Sequence, residues 1–338
     1  MARRLTWLLL GIVAIAAGSA WWAHARITAP YRAFATEVFV DLPSGTSEMD
    51  IARRLADAGV VADPWTFRLA ARLARADRKL QAGEYRFADP ASPAEIVARL
   101  ARGDVFARGV TFPEGLNYRE MAPIFEHSGL GTAGEFERAA SDGALAAAFD
   151  PDAPTLEGYL FPSTYAMGRG AGAAATVTAM VGQFEHVFDS TLRAAAAEQH
   201  MSVRQAVTLA SIVEKETAQA SERPIVAAVY RNRLAIGMPL QCDPTVIYAM
   251  IKAGRWRGNI KKADLSINSP YNTYRFPGLP PGPIANPGRA SLEAAVHPAD
   301  VKYLYFVSRN DGSHVFAETL AEHNQNVAKW QIRYFKKN

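Results

Sequence analysis

The sequence predicts an α+β protein: an N-terminal transmembrane helix, a small α/β module, and then a larger mixed α/β domain. Three observations carry this. Leu5–Trp22, LTWLLLGIVAIAAGSAWW, is an uncharged apolar run of the length a bilayer-crossing helix needs. From residue 37 onward, strand-like and helix-like segments alternate, and the helix starts are well marked. Val203–Thr217 reads as a single helix, and most of the chain beyond it reads as loop, turn and strand able to build a cleft against it.

Composition bounds the rest. A chain of 338 residues holds two domains with cores of their own, and 49% hydrophobic with 21% charged residues describes a globular protein. The net charge of +4 comes from scattered Arg plus the short Lys336–Lys337 cluster, which is too diffuse for a nucleic-acid partner. Cys242 is alone, so an intramolecular disulfide and a Cys-based metal site are both excluded, and the residue reads as a buried structural thiol. His297, His314 and His323 lack metal-ligand spacing, and no cofactor is expected.

At the N-terminus, residues 1–4 are expected on the cytoplasmic side, 5–24 as the transmembrane helix and 25–36 as a linker containing Pro30. Arg3 and Arg4 set that orientation, although Arg26 and Arg32 weaken the asymmetry, and Trp21–Trp22 suit the membrane interface. Ala23-His24-Ala25 imitates a signal-peptide cleavage site, but the long apolar run and the bulky Trp before it favour a retained anchor. The body is then expected on the far side of the membrane.

The module spans 37–108 and the larger domain 109–338. Val38–Leu42, Gly83–Phe87 and Phe106–Phe112 are strand candidates. Ser47 with Asp50, Ser92 with Glu95 and Asn117 with Glu120 each place a capping residue three before an acid, and Pro64 and Pro93 sit just inside helix starts. An internal echo recurs at an offset of 70. Leu42-Pro43-Ser44-Gly45-Thr46-Ser47 matches Phe112-Pro113-Glu114-Gly115-Leu116-Asn117, each a strand end, a turn and a helix cap.

Leu156–Tyr165, LEGYLFPSTY, is aromatic-rich and aperiodic, and reads either as a core-packing loop or as a cleft wall. Gly168–Ala175 is a small-residue spacer, Val177–His200 a long helix and Ile225–Ile236 another, ended by Gly237. Asp243-Pro244-Thr245 reads as a helix start. Asn268–Pro287 holds six prolines and no helical period, so it is a long ordered loop, with Tyr271, Asn272, Thr273 and Tyr274 offering donors, acceptors and ring faces. A hairpin over Tyr303–Val307 and His314–Phe316 and a helix capped by Thr319 with Glu322 close the chain.

Within the central helix, Arg204, Thr208, Ser211 and Lys215 form one polar stripe. Val203, Val207, Ala210 and Glu214 form a second row, apolar until its last member. Glu216 lies roughly 200° away from Glu214, so the two carboxylates do not meet at one bond. Glu214 is then either a solvated helix end or a general acid whose pKa is raised by desolvation.

Several motifs in order carry a resemblance. ASIVEKET at Ala210–Thr217, LEGYLFPSTY, SER at Ser221–Arg223, QCDPTVIY at Gln241–Tyr248, YNTY, GLPPGPIANPG, HPA at His297–Ala299, YLYFV and GSHVF resemble the endolytic murein transglycosylases (YceG-like lytic transglycosylases) of bacteria, over essentially the whole chain. The resemblance implies an inner-membrane, single-pass enzyme whose periplasmic part is a LysM-like module followed by a catalytic domain. It implies cleavage of nascent peptidoglycan between N-acetylmuramic acid and N-acetylglucosamine, leaving 1,6-anhydro-muramic ends and terminating elongation near the peptidoglycan synthases. The first Glu of the I-V-E-K-E motif, here Glu214, is the implied catalytic acid. Cys242 departs from the family's Q-T-D-P pattern, which puts the polar lining beside Gln241 in question.

Most glycoside hydrolases need two carboxylates. In a lytic transglycosylase the sugar's own 6-hydroxyl attacks, so one Glu can serve as acid and then as base. Gln241, Asp243, Tyr271, Asn272, Thr273 and Tyr274, and more weakly Glu157 and Tyr159, are the candidates for holding glycan, and Asp243 could instead support Glu214 or the developing charge. Two other readings stay open: a hydrolytic muramidase with Asp243 or Glu157 as second carboxylate, and a non-catalytic membrane-tethered glycan-binding scaffold.

Overall fold

The computed structural model describes residues 2–168 and 170–333. Met1, Arg169 and residues 334–338, with the Lys336–Lys337 cluster, lie outside the described residues, as do the side chains of residues 2–6, 8 and 333. The chain divides into two units, Met1–Arg108 and Gly109–Asn338.

The first unit runs α1 (Ala2–Thr28), β1 (Val38–Leu42), α2 (Glu48–Asp57), α3 (Pro64–Leu73), β2 (Gly83–Phe87) and α4 (Pro93–Arg102). β1 and β2 pair antiparallel, Val38 opposite Phe87 and Leu42 opposite Gly83. Period-2 alternation turns Val40, Leu42, Tyr85 and Phe87 into a core shared with Ile51, Leu55, Phe67, Ile96 and Leu100. Ser47, Asp63 and Ser92 cap α2, α3 and α4, the last through a reciprocal box with Glu95. In α1, Trp7, Leu9, Leu10, Ile12, Val13, Ile15, Trp21 and Trp22 are exposed. Among the described residues, however, no helix is long and apolar enough to cross a membrane. The expected span over residues 5–24 is not supported on this criterion, which takes in only the described residues and so leaves out the side chains of Leu5, Thr6 and Leu8.

The second unit contains β3 (Arg108–Thr111), α5 (Tyr118–His127), α6 (Ala133–Ala140), β4 (Thr164–Met167), α7 (Gly172–Val187), α8 (Ser190–Glu198), α9 (Val203–Glu216), α10 (Arg223–Ala235), α11 (Asp243–Lys252), α12 (Arg289–Val296), β5 (Tyr305–Ser308), β6 (His314–Ala317) and α13 (Leu320–Val327). β3 is shorter than expected and pairs with β4, while β5 and β6 form the closing antiparallel hairpin. The long helix expected over 177–200 is two helices, beginning already at Gly172. Asp189 interrupts it, because its carboxylate accepts from the amides of Thr191 and Leu192 and so caps a new helix instead of continuing the old one.

α9 organises this unit. Ser202 and Gln205 close a capping box at its start, and every residue from Ala206 to Val213 is buried. The helices α8, α10, α11 and α12 pack around it. Part of the polar stripe is internal: the hydroxyl of Ser211 donates to the Thr208 carbonyl and accepts from the amide of Ile284 at 3.1 Å, fastening the proline-rich loop to the helix. A methyl on Gly158 would collide with the Pro283 ring, so this glycine lets the aromatic segment and that loop press together.

Candidate active site

Glu214 and Glu216 occupy the last turn of α9 and face different surroundings. The side chain of Glu214 is 7% exposed, and its Oε1 accepts from Arg223 Nη2 at 3.2 Å. Its Oε2 accepts from the backbone amide of Gly288 at 3.0 Å. Of the two readings of Glu214, the side chain follows the one removed from solvent, but its pocket supplies a guanidinium and an amide, not only apolar walls. Arg223 opens α10, and Gly288 ends the proline-rich loop at the start of α12.

A second carboxylate joins them. Glu114 Oε2 stands 3.9 Å from Arg223 Nη2, with its side chain 50% exposed. It packs so closely on Gly288 that a methyl there would overlap the Glu114 carboxyl group, which is why glycine fits. Burial, with Glu214 as the next contributor, raises the pKa of Glu114, and Arg223 works against the rise. The turn carrying Glu114 is pinned on both sides: Gly115 N donates to Asn286 O at 2.9 Å, and Lys215 Nζ donates to Gly115 O at 2.9 Å. Gly115 has φ of +76°, a conformation glycine adopts at little cost. Arg223 Nε is buried and has no partner among the described residues.

Asn286 ties the walls together. Its Oδ1 accepts from the amides of Gly158 and Leu160 at 2.8 and 2.9 Å, and its Nδ2 donates to Leu116 O at 3.0 Å and Glu157 Oε1 at 3.1 Å. One fully buried amide therefore joins the Glu114 turn, the aromatic segment and the proline-rich loop.

On the opposite face, Glu216 accepts from Tyr230 Oη at 2.7 Å and is also hydrogen-bonded to the Cys242 thiol. Burial pushes the pKa of Glu216 up, and the two donors only partly offset it. The thiol of Cys242 points inward to this cluster, and burial pushes it well up too. Asp243 begins α11 and accepts from Tyr274 Oη at 2.7 Å. Gln241 is exposed, holds φ of +52° and donates through its amide to Thr273 O.

The expected site residues therefore separate. Gln241, Asp243 and Tyr274 gather on the Glu216 side of the helix end, and Glu214 has its hydrogen bonds with Arg223 and Gly288. Asn272 and Thr273 are interior: the Asn272 amide nitrogen donates to Leu265 O and Ile267 O, and the Thr273 hydroxyl accepts from Cys242 N and bonds Thr245. They shape the loop and offer no surface to a polymer. Glu157 is 3% exposed and accepts from Tyr118 N, Tyr248 Oη and Asn286 Nδ2, with burial raising its pKa to about 8. Tyr159 is in the core, donating to Asp150, which Arg204 also grips. Tyr271 is half-buried, its ring 5.0 Å from that of Tyr248.

Sequence reasoning gave no role to Glu114, Arg223, Asn286 or Gly288. The signal for Glu114 was present in the echo, where Ser44 in the first copy becomes Glu114 in the second. Among the described residues, no group of three His, Cys, Asp or Glu could hold a metal ion.

The YceG-like family model matches residues 40–329. The chain belongs to the YceG-like family. It is 34% identical over 312 residues to the endolytic murein transglycosylase of Bacillus subtilis strain 168, covering 87% of this chain and 85% of that one. It is 28% identical over 331 residues to the endolytic murein transglycosylase of Streptococcus pneumoniae R6, covering 86% of this chain and 58% of that longer protein. A crystal structure of a yceG-like protein from Listeria monocytogenes superposes with a TM-score of 0.59 at 31% identity, over 86% of this chain and 99% of the other.

Proposed function

We propose that this protein is a peptidoglycan lytic transglycosylase that cuts glycan strands internally, with Glu214 as its acid and base. The observation that carries this is a carboxylate shielded from solvent at the end of α9, in a YceG-like chain whose curated relatives are named endolytic murein transglycosylases. Glu214 protonates the oxygen leaving the muramic acid C1. The muramic 6-hydroxyl then attacks C1, and Glu214 takes its proton, closing a 1,6-anhydro ring with no water consumed. Arg223 and the Gly288 amide hold the carboxylate in one orientation through the exchange. Asp243, Tyr274 and Gln241, on the Glu216 face of the helix end, are proposed to hold the continuing strand.

A hydrolytic muramidase is the second reading, and one observation favours keeping it: Glu114 supplies a partly exposed second carboxylate beside Glu214. The experiment is mass spectrometry of glycan ends made by the full chain. An anhydro end weighs one water less than a hydrolysed end, so hydrolysed ends decide for the muramidase, and strands bound but left intact reduce the protein to a scaffold.

Work on peptidoglycan implies a cell-envelope location. Single-pass anchoring by residues 5–24, with the body in the periplasm, is part of the proposal and rests on the exposed apolar side chains of α1. Carbonate extraction tests it, since a protein released at alkaline pH has no spanning anchor. Residues 37–108 are proposed as a LysM-like glycan-holding module, a reading supported by a two-stranded hairpin enclosing two helices around one core. Action beside the synthases completes the proposal.

A further inference from the structure

At the far end of α11 the chain builds a cavity that the chemistry above does not use. It has a volume of 340 Å³ and is lined by Met250, Arg255, Arg257, Asn259, Lys261 and Asp264. The helix stops at Lys252, Gly254 takes φ of +66°, and Arg255 N turns back to donate to Met250 O at 2.9 Å. Gly258, at φ of +85°, makes a second turn, so Arg255, Arg257 and Lys261 come to face one space. The acid in the lining is already engaged: Asp264 Oδ2 accepts from the amide of Lys261 at 2.8 Å. Among the described residues, none of the three cations has an ion-pair partner.

Three cations and one carboxylate, Asp264, leave the cavity with an excess of positive charge that an entering anion offsets. Two arginine forks recognise planar or multidentate oxyanions and suit carboxylates well. The cavity shares a helix with the cleft: Asp243 and Lys252 terminate α11, about 14 Å apart at the rise of an α-helix. A group on a strand lying in the cleft is within reach of this cavity. In a strand cut internally, the carboxylates of the peptide stems recur beside every cut, whereas a lipid-linked pyrophosphate is within reach only near the strand end.

We propose that Arg255, Arg257 and Lys261 form a subsite for a carboxylate of a peptide stem carried by the glycan, one helix length from Asp243. This rests on the peptidoglycan reading and adds a requirement for stems to it. The test is binding of the full chain, in detergent, to soluble glycan strands with stems intact and to the same strands stripped of stems by an amidase. The wild-type protein is expected to bind stem-bearing strands at least tenfold tighter than stripped ones. The Arg255→Glu/Arg257→Glu variant should lose that advantage and still bind stripped strands as the wild type does. The milder Arg255→Gln/Arg257→Gln pair should fall between and guards against misfolding. Equal binding of both strands by the wild type overturns the subsite, as does an equal loss on both by the variants. An effect confined to strands ending in a lipid pyrophosphate overturns it in favour of that group. Cleavage of stripped strands reports separately on Glu214, so the two proposals fail independently.

Discussion

Glu214 and Glu216 stand two residues apart on one helix and inhabit opposite chemistries. Glu214 meets a guanidinium and a backbone amide, with a half-open carboxylate beside it. Glu216 is enclosed by a phenol and a thiol, and burial drives its pKa upward. A raised pKa is therefore not enough to identify a working acid. Each carboxylate has two donors, but Glu216 takes its pair from a buried phenol and thiol, whereas Glu214 shares the Arg223 guanidinium with the half-exposed carboxylate of Glu114.

The sharpest test of that contrast is the pair of isosteric substitutions. Glu214→Gln is expected to lower kcat for strand cleavage by roughly a thousandfold, the loss of one general acid–base group, while Glu216→Gln stays within about tenfold. Assays of anhydro-ended products decide it, and equal or reversed losses would move the active acid to the other face.

Glu157 extends the comparison to a carboxylate sealed from solvent altogether. Its folded pKa of about 8 exceeds a glutamate's ordinary value of 4.5, so between those two values the folded state holds more protons than the unfolded one. Stability contributed by this group must then fall as pH rises through that window, level out above pH 8, and amount to roughly 5 kcal/mol at most. Thermal melts from about pH 5 to about pH 9 should show a descending Tm in the wild type and a flatter one in Glu157→Gln.

Removing the clamp shared by the walls comes next. Asn286→Ala strands two buried amides and is expected to cost about 2–3 kcal/mol in urea unfolding. A loss below about 1 kcal/mol would show that the three segments hold their places without it.

The smallest effect is expected at Glu114. In a transglycosylase Glu114→Gln should lower kcat about tenfold, equivalent to about 1.4 kcal/mol, with the products still anhydro-ended. A loss as large as that of Glu214→Gln, accompanied by hydrolysed ends in the wild type, would identify Glu114 as the base of a muramidase.

Much of the local structure was legible because its determinants are local. β1 and β2 follow from alternation and bounding glycine and proline, and the caps of α2, α4, α5 and α13 follow from short-range pairs such as Ser92 with Glu95. Periodicity also placed Glu214 on a row that packs inward. It failed over 177–200, where alanine-rich sequence allows a helix throughout and the Asp189 cap breaks it. The tyrosine and asparagine loop was read as a binding surface from its residue types, yet Asn272 and Thr273 turn inward, because a loop so rich in proline needs side chains to satisfy its backbone.

By itself, then, the sequence determined most helix starts, the stiff loop and the place of Glu214 at the end of an apolar row on α9, since these depend on residues close in the chain. Only the tertiary structure decided what that Glu touches. Arg223 lies nine residues away, Gly288 seventy-four and Glu114 a hundred, and no periodicity spans such gaps. Their meeting depends on where Asn286 and Lys215 hold the chain, a property of packing that arises only when distant segments share one surface.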